Sequence, residues 1–129
     1  MESRSKVVAL DSNMLLAISQ FRIDVFEEAK RMFGRETRFV VPSQVARELA
    51  RLKKRSRKLE KAVRVAQEMM EENRVKVKKV KAENADSALK RMGKRGAVIA
   101  TNDRVLIRKV KEANGSILFI RKKKLLQLK

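Results

Sequence analysis

The sequence predicts an α/β fold: a three-layer α/β/α sandwich around a central, mainly parallel five-stranded sheet. Three observations carry that prediction. Strand-like and helix-like segments alternate along the 129 residues. Three of the strand segments, 7–10 (VVAL), 97–100 (AVIA) and 117–120 (ILFI), are apolar throughout, as parallel strands covered by helices on both faces must be. Each of the four glycines falls at or just past the end of a helical pattern, where a residue without a side chain can stop a helix. With no internal repeat and no linker, residues 1–129 read as one domain with a basic tail at 121–129. That length is enough to bury a core.

Taken in order, residues 7–10 form a buried strand that ends at Asp11, and 13–19 read as a helix. A second helix at 24–33 carries Val25, Phe26, Ala29 and Phe33 on one face and closes at Gly34; Asp24 caps its start. Residues 38–41 form the second strand, and Pro42-Ser43 supplies a break and a candidate N-cap. The helix at 44–52 carries Val45, Leu49 and Leu52, and a longer one at 59–70 carries Leu59, Val63, Ala66 and Met69/Met70. Val75, Val77 and Val80 alternate in part, as a third strand would. A helix at 85–92 ends at Gly93, strand 97–100 follows Gly96, helix 104–114 stops at Gly115, and 117–120 is the last strand. Right-handed crossovers join these units.

Composition excludes much of enzyme chemistry. There is no His and no Cys, which removes Ser-His-Asp triads, cysteine nucleophiles, His/Cys zinc sites and iron–sulfur clusters. Carboxylates, hydroxyls, amines and borrowed metal ions remain. The charge is strongly positive, 34 Lys+Arg against 15 Asp+Glu, and unevenly placed: residues 1–50 hold 8 basic and 7 acidic side chains, residues 51–129 hold 26 and 8. A polyanion is the natural partner of such a surface. The densest run contributes Arg51, Lys53, Lys54, Arg55, Arg57 and Lys58 as candidate phosphate contacts, joined by Arg104 and Arg108 on the 104–114 helix. With no Trp or Tyr and five Phe, base recognition by aromatic stacking is not expected. No segment approaches the length of a membrane span and no signal-peptide core is visible, so a cytoplasmic protein without a membrane partner is expected.

Four acids sit where solvation does not explain them. Asp11 follows the VVAL strand and Asp103 follows AVIA-Thr101-Asn102, both at strand carboxyl ends, where open parallel sheets place their ligand crevice. Asp103 also aligns with Leu106, Ile107 and Val110 of its own helix. Glu48 borders the apolar face of the 44–52 helix, and Asp86 stands at the start of the 85–92 helix. Each has a plainer use: Asp103 and Asp86 as N-caps, Glu48 in a helical ion pair, Asp11 tying down a loop. Together they would repel one another unless a cation sat among them, and oxygen ligands suit one or two Mg²⁺ or Mn²⁺ ions. Such a site serves phosphodiester chemistry.

At these residues the sequence resembles the PIN-domain ribonucleases. The resemblance rests on Leu10-Asp11-Ser12-Asn13-Met14-Leu15-Leu16, on Val40-Val41-Pro42-Ser43 with Glu48, on Ala85-Asp86-Ser87-Ala88-Leu89, and on Val98-Ile99-Ala100-Thr101-Asn102-Asp103-Arg104. The order holds over nearly the whole chain. The ending, Ile117-Leu118-Phe119-Ile120-Arg121 with its basic tail, looks most like stand-alone prokaryotic, archaeal-type relatives of the small-subunit-processome PIN nuclease. The resemblance implies that Asp11, Glu48, Asp86 and Asp103 hold Mg²⁺ or Mn²⁺ and hydrolyse single-stranded RNA with a metal-activated water. It makes Ser12, Asn13, Thr101 and Asn102 supports that orient the acids. Ser87 stands where many relatives carry a second consecutive acid, which implies retained activity with a weakly held second ion.

The expected function is thus a metal-dependent endoribonuclease acting on single-stranded RNA or an rRNA precursor. A toxin ribonuclease blocked by an antitoxin, and a non-catalytic basic RNA- or ribosome-binding protein, are the alternatives. DNA ranks below RNA because no duplex-reading helix is visible. Met69 and Met70 would permit a homodimer, although core packing is the favoured use of Met at helical spacing.

Overall fold

The computed structural model describes residues 6–122 and 125–129. Six strands form one sheet in the order β3-β2-β1-β4-β5-β6: β1 Val7–Leu10, β2 Arg38–Pro42, β3 Lys76–Lys78, β4 Val98–Ala100, β5 Ser116–Arg121 and β6 Leu125–Leu128. Six helices connect them: α1 Ser12–Phe21, α2 Val25–Phe33, α3 Ser43–Leu52, α4 Arg57–Glu72, α5 Ala85–Lys94 and α6 Arg104–Glu112. The first five strands are parallel, with Ala9 facing Val40 on one side and Ile99 on the other. The chain winds outward from β1 through β2 to β3, then returns to lay β4 against the opposite edge of β1. The winding direction reverses between β1 and β4, which makes their carboxyl ends the crevice of the sheet.

The layers follow from the patterns. β1 and β4 are buried almost along their full lengths, sandwiched between α1, α3 and α4, which pack on one another, and the α5–α6 pair. Val8, Leu10, Ile99 and Leu118 from the sheet meet Met14, Leu15, Leu49, Leu89 and Leu106 from the helices in one core. Met69 and Met70 pack against that core, the use expected of them. Phe26 of α2 is fully buried and meets Phe39 of β2 edge to face, 4.8 Å between centroids. Phe26→Ala should therefore cost about 3–5 kcal/mol, measured as a lower thermal midpoint with the fold retained. A loss below about 1 kcal/mol would mean that α2 is not anchored there.

Several local expectations are corrected. The sheet has a sixth strand, β6, antiparallel to β5 with Phe119 opposite Gln127; the stretch expected to be only a tail seals the sheet, buries Leu126 and meets α2. Ser43 does not cap α3. The helix begins at Ser43 itself, with extended Pro42 in the cap position and its missing N–H costing nothing there. Gly93 does not end α5 but lies in its last turn, where a methyl group would press on Ile99 at 3.2 Å and Val110 at 3.4 Å. Its smallness lets α5 approach α6 and β4. The helix stops at Arg95, and Gly96 takes the positive φ of 102° that follows. Asp24 caps α2 as expected, accepting from Glu27 N at 2.9 Å.

Candidate active site

Each of the first four strands delivers one acid at its carboxyl end. Asp11 is the residue after β1 and Asp103 lies three residues after β4. Glu48 is in the second turn of α3, which follows β2 directly, and Asp86 is in the first turn of α5, which follows β3 across a short loop. Parallel strands all end on one side of the sheet, so the topology alone gathers four carboxylates that are dispersed over most of the sequence.

Asp11 is buried, 5% exposed. Its Oδ1 accepts the Ser12 amide at 2.8 Å and its Oδ2 accepts the Thr101 hydroxyl at 2.8 Å. The same hydroxyl oxygen accepts the Asp103 amide at 3.1 Å, so one threonine joins the ends of β1 and β4 and fixes Asp11 against Asp103. Asn13 adds a second tie, its Oδ1 accepting the Asn102 amide at 3.2 Å. Asn102 in turn accepts the Ile120 amide of β5 at 2.8 Å. Ser12 donates its hydroxyl to Glu48, which links α1 to α3. Ser12 and Thr101 thus bond to acids, and Asn13 and Asn102 tie together the strand ends beside them.

Asp103 has two uses at once. Its Oδ1 caps α6, accepting from Val105 N at 2.8 Å and Leu106 N at 3.1 Å, while Oδ2 accepts no donor among the described residues. Asp86 is not the cap of α5. Asn84 is, accepting from Ser87 N at 2.9 Å, which frees the Asp86 carboxylate to face the other acids. Glu48 forms no ion pair with a neighbouring turn; its partner is Ser12.

The electrostatics link the four acids through Asp86 and Glu48. Burial raises the Asp11 carboxyl from 3.8 to about 6; the bonds from Thr101 and Ser12 oppose this, and the charges of Asp86 and Glu48 add to it. Asp86 is also raised, first by burial and then by Asp103, with Lys109 opposing and Glu48 adding. Asp86 therefore feels or acts on each of the other three and is the centre of the cluster. Among the described residues, no three acids stand close enough to enclose an ion as they are.

Sequence reasoning missed two residues. Lys109 of α6 is the cation that acts on Asp86; nothing distinguishes it among the lysines of that helix until α5 is packed against α6. Gln44 is buried at the start of α3 and donates from Nε2 to the Val80 and Ala82 carbonyls at 2.7 and 3.0 Å. It holds down the loop that leads into Asp86. Of the candidate phosphate contacts, Arg51 ends α3, Lys53, Lys54 and Arg55 form the turn into α4, and Arg57 and Lys58 open α4. All but Lys53 are exposed, and Lys53 donates to Gln67 at 3.2 Å. Arg104 and Arg108 are exposed on α6.

This architecture is shared. The solved structure of the PIN domain endonuclease Utp24 superposes with a TM-score of 0.77 at 20% identity, over 95% of this chain and 90% of that one. A domain of a functionally unknown protein from Methanocaldococcus jannaschii matches with a TM-score of 0.63 at 18% identity, over 91% and 92%. A search of curated proteins finds no match to the sequence. The family model described as the PIN like domain matches residues 8–123, a span that runs from β1 through β5 and includes all four acids. By fold and sequence, this chain belongs to the PIN-like domain family.

Proposed function

We propose that this chain is an endoribonuclease that hydrolyses single-stranded RNA with the help of Mg²⁺ or Mn²⁺ and acts in RNA processing. The observation that carries the reading is the set of four carboxylates, one from the end of each of the first four parallel strands, that raise Asp11 and Asp86 through one another's charge. A fold held together by its core has no use for so costly an arrangement, whereas a hard divalent cation offsets the repulsion and takes oxygen ligands only. The donor set fits such an ion, because every candidate ligand is a carboxylate and no nitrogen or sulfur competes. The solved PIN endonuclease with this architecture supports nuclease chemistry, and the likeness of the Thr101–Asp103 region supports processing over a toxin's role.

Asp11, Glu48, Asp86 and Asp103 would hold the cation, which would supply an activated water and neutralise charge on the scissile phosphate. The rest falls to the chain's own groups. Thr101 and the Ser12 amide keep Asp11 aimed and lower its proton affinity. Ser12 orients Glu48, and the α6 cap leaves Asp103 with one oxygen free. The basic surface holds the RNA backbone over the crevice.

A labelled single-stranded RNA should be cut with Mn²⁺ or Mg²⁺, remain intact with EDTA, and yield 5′-phosphate and 3′-hydroxyl ends. Asp86→Asn should stop cleavage and keep RNA binding. Metal-independent cleavage, or full activity in that variant, would overturn the reading. Binding without any cleavage across both metals would instead identify a basic RNA platform.

A further inference from the structure

Beside the acidic crevice runs a second concavity that the four carboxylates do not use. It is a cavity of about 930 Å³ between α6 and the end of β5. Arg104, Arg108 and Lys111 lie on one stripe of α6, at spacings of four and three residues, so their side chains project together. Opposite them stands Arg121 of β5, and Ile107, Phe119 and Ile120 form the floor. With Lys122 and Lys129, six cationic side chains line the cavity against the single carboxylate of Glu112, among the described residues. Phe119 is half-buried with Lys129 Nζ 6.0 Å from its ring centre, so an aromatic surface and a cation are offered together.

Two residues bring the cavity next to the acid-bearing strand ends. Asn102 lines it and also receives the tie from Asn13 beside Asp11, while Arg104 directly follows Asp103. A polyanion that leaves the acids past Asn102 and Arg104 meets the cations of this cavity. The apolar floor narrows the kind of polyanion: a paired helix keeps its base faces stacked inside, whereas an unpaired strand can lay bases on Ile107, Phe119 and Ile120.

We propose that the α6–β5 cavity is the binding track for the single-stranded RNA segment flanking the cut, with Arg108, Lys111 and Arg121 on phosphates and Phe119 under a base. The inference rests on the endoribonuclease reading for the direction of the strand, and it revises the expectation that no aromatic contact is made to bases. β6, which no pattern in the sequence announces, pairs with β5 and brings Lys129, the residue that follows it, to the rim of the track.

The test is binding of a fluorescent single-stranded RNA to the full chain in EDTA, where cleavage plays no part. Arg108→Glu with Lys111→Glu should weaken binding roughly tenfold and reduce the salt slope by about 0.7 for each phosphate left without its cation. Phe119→Ala should weaken single-strand binding roughly tenfold and leave the salt slope unchanged, because the stacking it removes is uncharged. Phe119→Leu, which keeps the floor filled, guards against a packing defect and should show the same loss if stacking matters. A 4-thiouridine RNA should cross-link to residues 119–121. Wild-type affinity and salt slope in Arg108→Glu with Lys111→Glu, or cross-links only to the 51–58 segment, would overturn the track even if the enzyme cleaves. Loss of binding in these variants, in a protein that never cleaves, would leave the track standing and end the nuclease reading.

Discussion

Asp11→Asn is expected to abolish cleavage and at the same time make the metal-free protein more stable, by up to about 3 kcal/mol near neutral pH. The figure follows from a carboxyl raised from 3.8 to about 6, at 1.36 kcal/mol per unit. Its sign matters. A group whose folded-state pKa is raised favours the fold while it is protonated, below about 3.8, and that contribution is lost as pH rises through about 6. At pH 7 the buried charge opposes folding, and the amide removes it. Asn also suits the site: its carbonyl can accept the Ser12 amide, and the Thr101 hydroxyl can turn to accept from its NH₂. Thermal unfolding of both proteins in EDTA should show a gap that is widest at pH 7 and closes as pH falls from about 6 toward 4. Mn²⁺ should raise the midpoint of the wild type alone. A variant that is less stable at pH 7, or a gap independent of pH, would show that Asp11 carries no such penalty.

The second large effect is expected at a residue that is not an acid. Thr101→Val keeps size and branching but deletes the hydroxyl that donates to Asp11 and accepts from the Asp103 amide. Two groups at the strand ends lose their partner, at about 1–3 kcal/mol for a buried one. Because the Thr101 bond lowers the Asp11 pKa, its loss sends that carboxyl further up, and cleavage should begin at higher pH. Activity should fall roughly 10–100-fold, the range for a group that orients a ligand. Thr101→Ser retains the hydroxyl and should restore most of the activity and the original pH onset. An unshifted pH profile in Thr101→Val would reduce the residue to packing.

Most of the architecture is legible in the sequence because parallel strands announce themselves. VVAL and AVIA are apolar without alternation, and each runs straight into the acid-bearing end that the sheet must turn toward its crevice. Asp24 is equally plain, since a lone Asp before an amphipathic run has few other uses. Asp86 is harder: Asn84 and Asp86 both suit a cap, and only the start of α5 at Ala85 shows which one is released for other work. β6 is invisible for a different reason. Its four residues, LLQL, follow a basic stretch and owe their conformation to pairing with β5, a non-local cause that no window on the sequence contains. Lys109 and Gln44 share this condition, each significant only through what packs opposite.

The pairing of β1 with β4 has a consequence for the life of the chain during its synthesis. The Asp11–Thr101 bond spans 90 residues, and the central strand of the sheet must wait for a neighbour translated long after it. Pairings of such long range form late, and a chain emerging from the ribosome carries Asp11 and Glu48 well before it can build anything from them. On the proposed function, the nascent chain stays inert toward the ribosomal RNA beside it until β4 and the acid behind it have been translated. Fragments that end before β4 carry up to three of the acids but not Thr101 or Asp103.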